Sequence, residues 1–225
     1  MSETYNEQQV AIIAVEYAPN GELFDMIKRH KKLPGPIVKR YTRQILSAIH
    51  FMNTHGIAHR DLKCENILVD AQYNLKVADL GLSCQFDKDK FKGFSNSVVG
   101  TPSYMVPELK LSGAYQPYMC DLFSLGIMIF MMYTGHAPFA KADLEDPHFI
   151  LIARNQYKNF WDQHKSTHED NFFSEEFINL ITLMLSMQPF QRIEIADIFA
   201  HPFVKEGPVA TQDELLAFML GRDQK

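Results

Sequence analysis

The chain has 225 residues, of which 46% are hydrophobic, and it carries a formal net charge of −5. This length and apolar content suit one large domain, or one domain and a fragment, and they argue against a disordered chain. The acidic balance and the lack of a long basic run argue against a nucleic-acid-binding protein.

The three cysteines, Cys64, Cys84 and Cys120, have no paired spacing, which argues against a disulfide framework or a zinc site. Residues 1–9 are polar, so we expect no signal peptide. The longest nearly apolar run, residues 122–133, is shorter than the roughly 20 residues that span a bilayer. We therefore expect an intracellular, cytoplasmic protein that binds neither a membrane nor a nucleic acid.

The first predicted elements are one strand and two helices. Residues 10–15 are apolar and rich in β-branched side chains, which is typical of a buried strand. Residues 22–30 have an amphipathic helical pattern, as do residues 37–52, which a proline precedes and a glycine follows. The basic cluster at residues 28–32 is interpreted as a solvated helix end, although an anion-binding patch would have the same composition.

A small hairpin is predicted in the middle of the chain. Residues 67–69 and 75–78 are two short strands separated by turn residues, and they bring the charged loop at residues 57–66 close to Asp79. Residues 82–103 are polar and have no sustained period, and a loop of that length is usually functional or disordered.

The C-terminal half predicts helices at residues 122–133, 175–187 and 193–199. The first of these is apolar on all sides, so we expect it at the centre of the domain. His164 and His168 are interpreted as part of a polar surface segment rather than as a metal-binding pair. The predicted class is therefore α+β and mainly helical.

The loop at residues 57–66, with the sequence IAHRDLKCEN, concentrates charged side chains. Asp61 offers a carboxylate that can accept a proton from a hydroxyl, Lys63 a charge for a phosphate oxygen, and Asn66 a carbonyl oxygen for a hard cation. Phosphoryl transfer needs these three kinds of group. The run HRDLKCEN resembles the catalytic loop of eukaryotic protein kinases, which are a well-described template for this reaction.

Further motifs extend this resemblance over residues 10–204 in the order that the family has. They are the hinge-like VEYAPNGELF at 15–24, DLG at 79–81 in place of the magnesium-binding Asp-Phe-Gly, GTPSYMVPE at 100–108 as the end of an activation segment, DLFSLG at 121–126 as the start of the central helix, and Arg192 as the partner of Glu108.

The resemblance implies a kinase large lobe with a short hairpin and a remnant strand of the small lobe. Residues 1–20 would be that remnant and the hinge, residues 21–204 the large lobe, and residues 205–225 a polar tail. The implied nucleotide contacts are the backbone of Glu16 and Ala18 for adenine, Leu68 beneath the base, Glu22 for the ribose or a basic substrate residue, and Asn66 and Asp79 for magnesium. The implied regulatory residues are Arg60, Ser97 and Thr101, and the implied structural residues are His59, Glu108, Asp121 and Arg192.

The function implied is that of a serine/threonine protein kinase that uses ATP and Mg²⁺, similar to the calcium/calmodulin-dependent and AMP-activated groups. Its partners would be protein substrates with basic residues near the acceptor, and an upstream kinase that phosphorylates Ser97. No residue before Val10 matches the family's glycine-rich loop, phosphate-binding lysine or helix glutamate.

The alternative is therefore a truncated kinase or pseudokinase that acts as a non-catalytic interaction or regulatory module. On this ground we expect residues 1–225 alone to bind ATP weakly and to phosphorylate a generic peptide barely above background. We also expect the strand at residues 10–15 to lack sheet partners and to expose an apolar edge.

Overall fold

The computed structural model describes residues 3–7, 10–86, 99–106 and 115–221, with only the backbone for residues 3–7, 10 and 11. Within these ranges the fold is mainly helical with three short antiparallel strand pairs, which confirms the predicted class. The helices are α1 (Leu23–His30), α2 (Gly35–Thr54), α3 (Pro117–Thr134), α4 (Phe149–Ala153), α5 (Tyr157–Lys165), α6 (Glu175–Met184), α7 (Ile195–Ala200), α8 (Pro202–Lys205) and α9 (Gln212–Met219). The strands are β1 (Glu3–Glu7), β2 (Val10–Ala14), β3 (Ile57–Ala58), β4 (Ile67–Val69), β5 (Leu75–Val77) and β6 (Cys84–Gln85).

The helix α3 lies at the centre of the domain, as its uniformly apolar sequence predicts. Every residue of α3 except Tyr133 is buried, and the helix packs between α2 and α6. Gly126 permits this close packing, because a Cβ there would lie 2.9 Å from the Cβ of Met184. By length and composition alone α3 could cross a membrane, but 94% of it is buried inside the fold, as in the core helix of a globular domain.

The predicted hairpin is also present. Strand β4 pairs antiparallel with β5 in the register Ile67↔Val77. The turn between them is shaped by Asp70, whose Oδ1 accepts hydrogen bonds from the backbone N–H groups of Gln72 (2.9 Å) and Asn74 (2.8 Å). A short polar side chain that bonds the backbone two residues later is a common way to build such a turn.

The prediction for the N-terminal strand was partly wrong. Strand β2 has a partner, since β1 pairs with it antiparallel from Glu3↔Ala14 to Glu7↔Val10. The polar composition of residues 1–9 concealed a strand because hairpin pairing depends on backbone groups as well as on apolar side chains. The apolar exposure was predicted correctly, because Ile12 and Ile13 are 57% and 65% exposed.

The sequence did not predict α4, α5, α8 or α9. Helix α5 corrects the interpretation of His164 as a surface residue, because His164 is buried there and its Nε2 bonds the backbone oxygen of Pro138 at 3.1 Å. Aromatic side chains around His164, including Phe130 and Phe160, exclude water from its ring. No group of three or more metal-binding side chains is found in the part of the chain that the structure describes.

The last described segment, residues 206–221, packs against the domain rather than extending from it as a simple polar tail. Thr211 and Glu214 form a capping box at the start of α9. Leu215 is fully buried, and the backbone N–H of Ala210 donates to the oxygen of Pro36 at 3.1 Å.

Candidate active site

The charged loop at residues 57–66 is anchored to the buried helix α3 through Asp121. The two carboxylate oxygens of Asp121 accept hydrogen bonds from the backbone N–H groups of His59 and Arg60, each at 2.8 Å. Arg60 has a φ of 68°, a left-handed conformation that a non-glycine residue adopts only when its surroundings hold it there. Burial raises the pKa of Asp121 to about 6, although the two N–H groups favour the carboxylate.

His59 ties this loop to the end of the hairpin. The ring is fully buried, its Nδ1 accepts a hydrogen bond from the backbone N–H of Asp61 (3.3 Å), and its Nε2 lies 2.9 Å from the backbone oxygen of Ala78. Since Nδ1 is an acceptor, Nε2 carries the hydrogen and donates a hydrogen bond to the backbone oxygen of Ala78. His59 therefore fixes the separation between the loop and the residue before Asp79.

Asp61 lies at the centre of a polar cluster. Its Oδ1 accepts from the backbone N–H and from the hydroxyl of Thr101, both at 2.8 Å, and its Oδ2 is 3.0 Å from the Nζ of Lys63. The Nζ of Lys63 also donates to the Thr101 hydroxyl at 2.8 Å. Burial alone would raise the pKa of Asp61, but the bonds from Thr101 and Lys63 outweigh it and hold that pKa below its usual value.

Asn66 and Asp79 are brought together by the hairpin. The backbone N–H of Ala78 donates to the backbone oxygen of Asn66 at 2.9 Å, and Asp79 is the next residue in the chain. The Nδ2 of Asn66 donates to the backbone oxygen and to Oδ2 of Asp61, which leaves its amide oxygen as the atom with which it can bind a cation. Asp79 is exposed, and its Oδ1 accepts from the Gly81 N–H at 3.2 Å.

This donor set fits Mg²⁺. Mg²⁺ prefers oxygen ligands and is usually held in proteins by one or two carboxylates together with water and substrate phosphates. One amide oxygen and one exposed carboxylate match that requirement without a complete protein cage.

The predicted hinge residues are held mainly by the hairpin. Glu22 forms an isolated backbone bridge with Leu68, and the Nζ of Lys76 lies 3.2 Å from the Oε1 of Glu16. Asn20 donates its backbone N–H to the oxygen of Val69 at 3.1 Å. The backbone roles of Glu16 and Ala18 in adenine binding stay a prediction.

The regulatory and structural residues have different outcomes. Ser97 and Glu108 lie outside the described residues, so the phosphorylation site and the Glu108–Arg192 pair stay predictions. Arg192 is buried and donates to the backbone oxygens of Met119 (2.9 Å) and Ser186 (3.0 Å). Arg60 donates from Nε to the Leu82 oxygen at 2.7 Å.

Thr101 has a contact that the sequence did not reveal. We predicted it as a regulatory residue, and that role stays a prediction, but its hydroxyl lies between Asp61 and Lys63. A possible signal was its place directly after Gly100, where φ is 116° and where a Cβ would approach the Arg60 oxygen to 2.9 Å. That close approach brings residue 101 against the charged loop.

Comparison with known proteins agrees with this geometry. The family model described as protein kinase domain matches residues 1–204. The chain is 33% identical over 195 residues to CBL-interacting serine/threonine-protein kinase 13 of Arabidopsis thaliana. The aligned region covers 87% of this chain and 36% of the relative. It is also 33% identical over 197 residues to CBL-interacting protein kinase 30 of Oryza sativa subsp. japonica, with 85% and 38% covered. The chain thus spans well under half the length of these curated relatives.

Proposed function

Since the chain belongs to the protein kinase domain family, we propose that it transfers the γ-phosphoryl group of ATP to serine or threonine hydroxyls of proteins. The observation that carries the proposal is the polar cluster around Asp61. A buried carboxylate with a depressed pKa, a lysine 3.0 Å away and a cation-binding pair beside it form the set that phosphoryl transfer requires.

In this reaction Asp61 orients the acceptor hydroxyl and takes its proton while the hydroxyl oxygen forms a bond to phosphorus. The bond from phosphorus to the bridging oxygen breaks, and the electron pair leaves with ADP. Lys63 is placed to balance charge on the transferring phosphoryl oxygens, and Asn66 and Asp79 would hold Mg²⁺. Mg²⁺ supplies charge neutralisation on the phosphates, and most of the catalysis in this class comes from positioning and electrostatics.

Several finer features belong to the same proposal. Lys63 and the run Gly100-Thr101-Pro102 support serine or threonine as the acceptor, as does the similarity to the Arabidopsis thaliana relative, which is named a serine/threonine-protein kinase. The net charge of −5 supports substrates with basic residues near the acceptor, for which Glu22 is a candidate contact. We also propose that an upstream kinase acts on Ser97, with Arg60 as a phosphate ligand, and that the protein is cytoplasmic.

The alternative of a non-catalytic module is less well supported. A pseudokinase has no need to keep Asp61, Lys63, Asn66 and Asp79 together, yet all four are present and the first three share direct hydrogen bonds or ion pairs. The comparisons with catalytic kinases also favour turnover.

The test uses the purified chain with labelled Mg·ATP and a serine-containing basic peptide, with protein in excess and long incubation so that slow transfer is measured. Asp61→Asn should abolish labelling of the peptide but leave nucleotide binding unchanged, because Asp61 acts as the base on the acceptor hydroxyl. Asp79→Asn should weaken Mg²⁺-dependent nucleotide binding itself. Asp170→Asn, at an exposed position, is the matched control and should change neither quantity. Equal transfer by wild type and Asp61→Asn would refute the proposal.

A further inference from the structure

The C-terminal helix α9 is connected to the hairpin that carries the cation-binding residues. The connection runs through Arg40, a partly buried residue of α2. Its Nη1 donates to the backbone oxygen of Ala210 at 3.0 Å, and its Nη2 donates to the Oε1 of Gln212 at 2.6 Å. One side of the guanidinium is therefore occupied by residues of the C-terminal segment.

The same guanidinium also contacts the hairpin turn. Its Nη2 lies 3.2 Å from the Oδ1 of Asn74, which also accepts from the Nε2 of Gln44 at 3.0 Å. The Oε1 of Gln44 in turn accepts a hydrogen bond from the backbone N–H of Leu75, the first residue of β5, at 2.9 Å. Gln212 completes the connection from the other side, because its Nε2 donates to the backbone oxygen of Gln72 at 2.7 Å.

The turn at residues 70–74 joins the two strands whose other ends lie next to Asn66 and Asp79. Strands β4 and β5 are only three residues each, so a displacement of the turn is transmitted over a short, hydrogen-bonded ladder. Asn66 directly precedes β4, and Asp79 is the second residue after β5. On the hinge side, Asn20 donates from Nδ2 to the Asp70 oxygen at 2.7 Å, so the turn also touches the segment proposed to hold adenine.

We propose that Arg40 is a positioning residue, through which docking of residues 206–221 sets the alignment of Asn66 and Asp79 and hence the affinity for Mg·ATP. The planar guanidinium suits this role because its donors are held in a fixed fork and can fix two segments at once. Removing a residue that hydrogen-bonds a metal ligand typically lowers metal affinity by roughly 10- to 100-fold. Arg40 acts one contact further away, through Asn74, so we expect an effect at the lower end of that range. The affinity consequence rests on the proposed kinase function, whereas the contact between helix and hairpin does not.

A purely structural role for Arg40 is the competing explanation, and α2 offers a matched control for it. Arg43 lies one turn further along the same helix and donates to the backbone oxygens of Val204 (2.8 Å) and Lys205 (3.0 Å). It therefore fixes the end of α8, directly before the same C-terminal segment, but its described hydrogen bonds do not reach the hairpin. Loss of either arginine should reduce stability, and only loss of Arg40 should affect the cation site.

The experiment compares Arg40→Met, Arg40→Lys and Arg43→Met in the full chain by titration calorimetry with Mg·ATP and by thermal unfolding. We expect Arg40→Met to raise the Kd for Mg·ATP about tenfold, Arg40→Lys to restore part of the affinity, and Arg43→Met to stay within about twofold of wild type at a similar change in Tm. Gln212→Ala should weaken binding in the same direction. The double variant Arg40→Met/Gln212→Ala should lose less binding free energy for Mg·ATP than the sum of the two single variants, because both side chains act through one contact.

Amide hydrogen exchange separates this inference from the proposed function. Arg40→Met should speed exchange at Asn74, Leu75 and Ala78 whether or not the chain binds nucleotide, and Arg43→Met should not. If wild type fails to bind Mg·ATP but these amides respond as stated, the kinase proposal fails and the helix–hairpin contact stands. Equal effects of Arg40→Met and Arg43→Met on both Mg·ATP affinity and hairpin exchange would overturn the inference.

Discussion

The two sides of the proposed nucleotide site are built in different ways. The charged loop at residues 57–66 is mostly buried and is held by a residue distant in sequence, since Asp121 binds the backbone of His59 and Arg60. The predicted hinge segment, which follows β2, is exposed, with Val15 73% and Tyr17 82% accessible to solvent. The difference shows that the groups proposed to act on the acceptor are fixed by the fold of the domain, whereas the groups proposed to bind adenine depend on a few surface contacts.

The largest expected effect is the loss of the loop anchor. Asp121→Ala leaves two buried backbone N–H groups without their acceptor, so the free energy of unfolding should fall by about 3 kcal/mol or more. Glu16→Ala, on the hinge side, should change it by less than about 0.5 kcal/mol. Urea denaturation measures both values. Similar losses for the two variants would mean that the two sides are equally dependent on their anchors.

The loss of stability in acid should also come from the buried part of the domain. Burial, together with the neighbouring rings of His148, His136 and His168, lowers the pKa of His164 to about 4. The unfolded chain takes up this proton near pH 6.5, so the stability linked to His164 is complete above that pH. It is lost as pH falls towards about 4, by about 3 kcal/mol in total.

The check on this prediction is a comparison of urea denaturation at pH 7 and pH 4.5. His164→Gln keeps a donor for the Pro138 oxygen but cannot titrate, so it should lose less stability on acidification than wild type. His55→Gln, at the exposed C-cap of α2, should follow wild type. If His164→Gln and wild type lose stability in parallel, His164 is not the acid-sensitive group.

A smaller effect is expected at Thr101. Thr101→Val removes the hydroxyl bond to Asp61 but keeps the backbone bond, so it should raise the pKa of Asp61 and lower stability at neutral pH by about 1–2 kcal/mol. The sign follows from linkage: a depressed carboxyl pKa stabilises the fold above the unfolded value, and this contribution is lost as pH falls through the folded value.

Carboxyl ¹³C NMR titration of Asp61 measures this shift directly. Thr54→Val is the control, because the Thr54 hydroxyl bonds the Phe51 oxygen on an exposed helix end. An unchanged titration of Asp61 in Thr101→Val would show that Thr101 does not tune the carboxylate.

The smallest effect should come from the hinge contact between Lys76 and Glu16. Their side chains are 44% and 59% exposed, so Lys76→Met should change stability by at most about 0.5 kcal/mol, and salt should reduce the difference further. Denaturation at low and high NaCl measures it. A loss of stability above about 1 kcal/mol that persists in high salt would show that the hinge is fixed as firmly as the charged loop.

The sequence predicted the parts of the molecule whose information is local. Asp61, Lys63 and Asn66 lie close together in the sequence of one loop, and the uniformly apolar pattern of α3 indicated its burial. The contacts of Thr101 with Asp61 and of Arg40 with Asn74 join residues 40 and 34 positions apart, and no periodicity encodes such pairs. Strand β1 and helix α9 were missed for a similar reason, because each is stabilised by its partner more than by its own apolar pattern.

We propose that the charged loop at residues 57–66 is preorganised, whereas the hinge segment becomes ordered only when nucleotide binds. Amide hydrogen exchange with and without Mg·ATP tests it most directly. In the free protein the amides of Arg60, Asp61 and Thr101 should exchange slowly and should change little on adding nucleotide, while those of residues 16–18 should exchange rapidly and become protected. Rapid exchange at Arg60 and Asp61 in the free protein, or no protection at residues 16–18 with saturating Mg·ATP, would contradict the account.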